Sequence, residues 1–167
     1  MGVQTTYGYS PSRGLAGGLY DMSPRAVNSR IAEEQIVFGI GLMPGTAPGR
    51  NVVKPSSGAS AADFEGIALN GGTQEMDMDG VLNVKAGTSV SVLRYGRAWV
   101  RVEPEQEVEY GDDLYLITDG ENAGYFTNSE SSGTKVALAG RFIGANGEDG
   151  GGIAPVELYN APAPAGE

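Results

Sequence analysis

Alternation of apolar and polar residues is densest between residues 88 and 117, TSVSVLRYGRAWVRVEPEQEVEYGDDLYLI. Val90 and Val92 alternate with Ser89 and Ser91, and beyond Arg94-Tyr95-Gly96 the residues Ala98, Val100 and Val102 alternate with Arg97, Trp99 and Arg101. A period of two predicts strands. A two-residue turn at Tyr95-Gly96 would set the valines against Trp99 and Arg101. A three-residue turn over Arg94-Tyr95-Gly96, with Gly96 left-handed, instead pairs Val92 with Ala98, Val90 with Val100 and Thr88 with Val102, giving one apolar face. That hairpin is the expected centre of the core. A further strand is expected to begin at Val108 and Tyr110, with Gly111-Asp112-Asp113 turning the chain into the apolar run 114–117.

The same reading places strands at 36–43, 51–54, 64–69, 123–127, 136–143 and 154–159, separated by Gly-, Pro- and Ser-rich turns. Within EMDMDG, Met76 and Met78 are expected to point inward from a strand. The fold class is all-β: a compact β-barrel or β-sandwich of about eight or nine short strands, with its body over residues 35–160. Residues 1–34 lack a sustained period and carry isolated apolar side chains, Tyr7, Tyr9, Leu15, Leu19, Tyr20 and Met22, among turn formers. They read as an extended N-terminal arm suited to lying across a partner, or as a terminus that packs on itself or stays disordered. Ser23-Pro24 could cap a short helix with Val27 and Ile31 on one face. Residues 161–167 read as a flexible Pro/Ala tail.

Composition narrows the chemistry. The 167 residues suffice for one core plus an arm, and 27 glycines with 9 prolines fit short strands and many turns. The chain has no cysteine and no histidine, which removes disulfides, thiolate chemistry, the Ser-His-Asp triad and most transition-metal sites. Net charge is −10, unevenly spread: residues 1–62 hold five basic and three acidic side chains, residues 63–167 six and eighteen. So acidic a body repels phosphate backbones and argues against a nucleic-acid partner. No apolar run is long enough to span a bilayer, and no secretory signal is evident, so no membrane partner is expected.

The motifs that could carry chemistry each have a plainer explanation. Tyr110-Gly111-Asp112-Asp113 has the form of a magnesium-holding hairpin, but without a further motif carboxylate or a basic template channel it reads as a turn. Glu75, Asp77, Asp79 and Gly80 match the first half of a calcium loop, whose twelfth position falls on Ala86 and supplies no carboxylate. Glu103, Glu105, Glu107 and Glu109 could be searched for a glycosidase pair, yet their spacing suits a solvated turn and edge strand. No catalytic residue, metal site or cofactor is assigned. Trp99 with Arg97 and Arg101 forms one face that serves either an interface or ordinary packing.

The arm segment SPRAVNSRIAEEQIVFGIGLMPGT, the run VSVLRYGRAWVRVE, the Tyr110-Gly111-Asp112 turn, AGYFT at 123–127, and ALAGRFIGA followed by a Gly-rich loop and APVELY together resemble the structural cement or head-decoration proteins of tailed bacteriophages. The resemblance implies a non-enzymatic virion protein, made in the host cytoplasm. It would bind the outer surface of the phage head and bridge neighbouring major capsid subunits. It implies the major capsid protein and copies of itself, as a dimer or trimer, as partners. The interface candidates are Tyr7, Tyr9, Leu15, Leu19, Tyr20, Met22, Val27 and Ile31, with Arg13, Arg25, Arg30, Arg97, Trp99 and Arg101. The alternative is a small carbohydrate- or calcium-binding β module or, with less support, a glycoside hydrolase.

Overall fold

A computed structural model of the chain describes residues 14–71, 75–76, 78, 80, 82–130, 134–146 and 152–162. Its strands are β1 (Ala26–Ala32), β2 (Ile36–Val37), β3 (Gly41–Pro44), β4 (Asn51–Val53), β5 (Gly66–Leu69), β6 (Glu75–Met76), β7 (Leu82–Val84), β8 (Ser89–Arg101), β9 (Asp113–Ile117), β10 (Phe126–Thr127), β11 (Lys135–Phe142) and β12 (Ile153–Leu158). One turn of 3₁₀ helix, Ala61–Asp63, is the only helical element among the described residues. The all-β class stands, with twelve strands among the described residues in place of eight or nine. The excess comes from short pairs such as β2 and β3. They divide the expected 36–43 strand at Gly39, whose φ of 80° a β-strand does not accommodate.

The expected hairpin at Arg94-Tyr95-Gly96 does not form. The chain runs straight through as the thirteen-residue β8. Tyr95 lies opposite Ala26 while Leu93 lies opposite Val27, so one extra residue is accommodated on β8 between them. This is a β-bulge, and it reverses which parity faces which side. Before it, Val90 and Val92 enter one core; after it, Ala98 and Val100 join Leu93 in another. The two alternating runs therefore do not face each other but serve different cores. Gly96, with φ of 126°, is required by a close approach: a Cβ there would lie 2.7 Å from the Cβ of Arg25.

β8 organises both halves of the fold. Its first half pairs with β5 and with β1, and because β1 also pairs with β4, the ring β1-β4-β3-β5-β8 closes into a barrel. Each ring strand sends a residue inward: Ala32, Leu42, Val52, Ala68, and Val90 with Val92, packed with Ile36, Phe38 and Ile40. The second half pairs with β12, and the sheet continues through β11 and β9 to β10. A bridge from Val102 to Phe126, with the Glu103 N–H donating to the Phe126 carbonyl at 2.9 Å, curls that sheet back toward β8. The second core, with Phe126, Phe142, Leu114, Leu116 and Val156, lies between this curled sheet and the outer face of the barrel, reached by Met43, Ile67 and Leu93.

Three further expectations are corrected. Residues 26–32, assigned to the arm rather than the body, are the strand that closes the barrel, so the Ser23-Pro24 helix with Val27 and Ile31 on one face is absent. Val108 and Tyr110 belong to a loop, not a strand: Asn146 donates to the Gln106 carbonyl at 2.7 Å and its Oδ1 accepts from the Val108 N–H at 3.4 Å, fixing the loop through side-chain bonds. Met76 and Met78 are exposed rather than pointing inward.

Candidate functional site

The segment from Gly14 to Val27 runs antiparallel along β8. Gly17 N–H donates to the Trp99 carbonyl at 2.8 Å, Trp99 N–H to the Gly18 carbonyl at 2.8 Å, and Tyr20 N–H to the Arg97 carbonyl at 3.1 Å. The Asn70 N–H donates to the Gly17 carbonyl at 2.8 Å, tying the segment to the end of β5 as well. Its glycines are dictated by contact: a Cβ on Gly14 would lie 2.1 Å from the Trp99 indole nitrogen. One on Gly17, where φ is 78°, would lie 2.8 Å from the Asn70 nitrogen. Tyr20 tilts against Trp99 with ring centroids 5.7 Å apart. After a detour over residues 21–25 the chain enters β1.

Charge fixes that detour. Arg97 bonds Asp21 at 2.8 Å and Glu157 of β12 at 3.2 Å, and Arg141 lies 3.5 Å from the other oxygen of Glu157. The hydroxyl and N–H of Ser23 both donate to Asp21. These bonds, Ser23 first and Arg97 after it, hold the Asp21 carboxyl at a pKa of about 2 against an ordinary 3.8. A depressed carboxylate stabilises the folded form above its unfolded pKa, and that contribution is lost as pH falls through the folded value. The hold on residues 20–23 is therefore intact at pH 5 and is expected to weaken from about pH 4 to about pH 2. Trp99 is the single tryptophan and lies beneath this segment, so its emission reports the change. A red shift below pH 4 that is reduced in Asp21→Asn is expected; identical titrations of the two proteins would contradict the assignment.

The structure separates the candidate residues into two groups. Leu15 and Met22 are 71% and 85% exposed, and Leu19, Tyr20 and Val27 are also exposed, so a row of apolar side chains lies along the outside of the segment. The remainder engage the chain itself. Arg30 bonds Glu65 at 2.7 Å, Arg101 donates to the Phe38 carbonyl at 2.9 Å, and Arg97 bridges Asp21 and Glu157. Arg25 packs its Cβ over Gly96, Ile31 is half-buried opposite Ser89 and Asn51, and Trp99 packs under Gly14 and Tyr20. Tyr7, Tyr9 and Arg13 lie outside the described residues, as do Asp77, Asp79 and residues 163–167 of the expected tail.

The acidic motifs take structural positions. Asp112 accepts from the Asn128 amide at 2.6 Å and the Glu109 N–H at 2.9 Å, holding the Gly-Asp-Asp turn, and Glu103 pairs with Lys135 at 3.0 Å. Asp21 and Glu157, which complete the bridge through Arg97, were not legible as a pair. They are far apart in sequence, and the only local signal was the Asp-x-Ser turn at 21–23.

The fold is a β-barrel that shares its longest strand with a second curled sheet and carries exposed apolar side chains on a clamped surface segment. The chain belongs to the structural cement protein family (E217 gp24/Pam3 gp6), which it matches over residues 3–159. Membership makes it a phage structural protein of the virion, associated with the capsid. Among solved structures, the capsid of Myoviridae Phage XM1 contains a chain with the same fold. That match has a TM-score of 0.71 and 18% identity, covering 96% of this chain and 99% of that one. The head fiber gp8.5 N base of bacteriophage phi29 is more distant, with a TM-score of 0.49 and 12% identity over 85% of this chain and 100% of that one. Among curated proteins, none matches the sequence.

Proposed function

We propose that this protein is a non-enzymatic cement that binds the outer surface of the assembled head and bridges neighbouring major capsid subunits, using the segment 14–27 as its contact face. The observation that carries the reading is the apolar row of Leu15, Leu19, Tyr20, Met22 and Val27, exposed on a segment whose backbone and charged groups are already bonded to the body. Exposed apolar groups in a row are a feature of contact surfaces, and a clamped backbone loses little entropy on docking. Several copies joined as a dimer or trimer would engage repeated capsid sites together, so modest single contacts sum to firm attachment. The acidity of residues 63–167 suits a protein with no nucleic-acid partner.

The test is co-sedimentation with purified capsids lacking the protein. Leu15→Asp with Met22→Asp is expected to weaken binding at least about 100-fold, since two apolar contacts are lost and two carboxylates must be desolvated. The melting temperature should stay near wild type, because both side chains are exposed. Undiminished capsid binding by this variant would overturn the reading.

A further inference from the structure

A second feature lies away from the apolar row: an open groove of about 960 Å³ bounded by β11, the 3₁₀ turn and the chain after β12. Tyr115 and Tyr159 supply partly exposed aromatic surface along it, Phe64 being buried in the core, and Ala137 and Ala139 line it with little bulk. The middle of β11 leaves its pairing with β9 between Ala137 and Arg141. Polar groups are available at the rim. Arg94 is exposed and bonds the Phe64 carbonyl with one nitrogen of its guanidinium, leaving further donors free to reach a ligand. Burial, with the charges of Glu130 and Asp113, raises the pKa of Tyr115 and keeps its hydroxyl protonated.

Aromatic ridges, shallow small-residue floors and a few hydrogen-bond donors are the chemistry that recognises polyproline-type strands, whose carbonyls have no internal partners. The chain contains one such segment, APAPAGE at 161–167, and its first two residues, Ala161 and Pro162, already line the groove. We propose that this groove is a docking site for the chain's own Pro/Ala segment, bound in extended form along β11. The alternation of proline and alanine suits it: the prolines preset the backbone, lowering the entropy lost on docking, and the alanines fit a narrow floor. The proposal is independent of the capsid reading, because none of the exposed row lines the groove.

Backbone relaxation of the full chain tests it. The proton–nitrogen heteronuclear NOE of the Ala163 and Ala165 amides is expected to match that of the β11 amides at every protein concentration. Ala137→Arg, which fills the floor from an accessible position, should lower the values at Ala163 and Ala165 to those of a free chain while leaving residues 15–22 unchanged. Free-chain values at Ala163 and Ala165 in the unsubstituted protein would overturn the proposal. So would values that fall on dilution, which would show the segment of a second copy in the groove.

Discussion

Removing residues 1–34 is expected to unfold the protein. The deletion takes away β1, the strand that joins β8 to β4 and closes the barrel. Without it the core of Leu42, Val52, Ala68, Val90 and Val92 opens along one side, and the backbone groups of β8 opposite residues 26–31 lose their partners. A domain is stabilised by roughly 5–15 kcal/mol in all, and the loss of a whole strand from a closed ring exceeds that margin. Circular dichroism and thermal melting check it. A cooperative melt near the wild-type temperature for the protein lacking 1–34 would show that the barrel does not depend on β1.

Val100→Asp is the second large effect. Val100 has no exposed surface, and it faces the core of Phe126, Phe142, Leu114 and Leu116 on the far side of the bulge from Val90. A carboxylate there has no partner, and burying it, charged or protonated, is expected to cost about 4 kcal/mol or more. The substitution distinguishes the two halves of β8. Arg94→Ala, at the bulge and exposed, removes only a surface side chain and its bond to the Phe64 carbonyl, and should cost about 1 kcal/mol. Chemical denaturation of the two variants gives the comparison; equal midpoints would contradict the placement of Val100.

β8 also shows what the sequence could and could not disclose. Alternation on either side of Arg94-Tyr95-Gly96 is the same for a hairpin as for one bulged strand. The choice between them is made by β1 and β12, which lie far away in sequence and occupy the edges a hairpin would have used. The runs that became β4, β5, β9, β11 and β12 were legible because apolar clusters stand between strong turn signals. β1 was not: in AVNSRIA the positions in phase with buried Ala32 are Asn28 and Arg30, where a simple alternation would put apolar residues, and Arg30 is held there by Glu65 at 2.7 Å. The exposed apolar residues Leu15, Leu19, Tyr20 and Met22 were visible as residues with no period to bury them. Which arginines face outward was not, because Arg30, Arg97 and Arg101 find carboxylates and carbonyls only once the chain has folded.

The proposed capsid-facing row from Leu15 to Val27 contains a methionine, so oxidation tests it within one molecule. Met22 is 85% exposed in that row, and Met78, in the small sheet's loop, is fully exposed. Sulfoxide formation can be followed by mass spectrometry for the free protein and for protein bound to capsids. Binding is expected to slow oxidation of Met22 at least about tenfold while Met78 reacts at its free rate, as burial of one and not the other requires. Unchanged oxidation of Met22 in the bound protein, or protection of Met78 in its place, would contradict it.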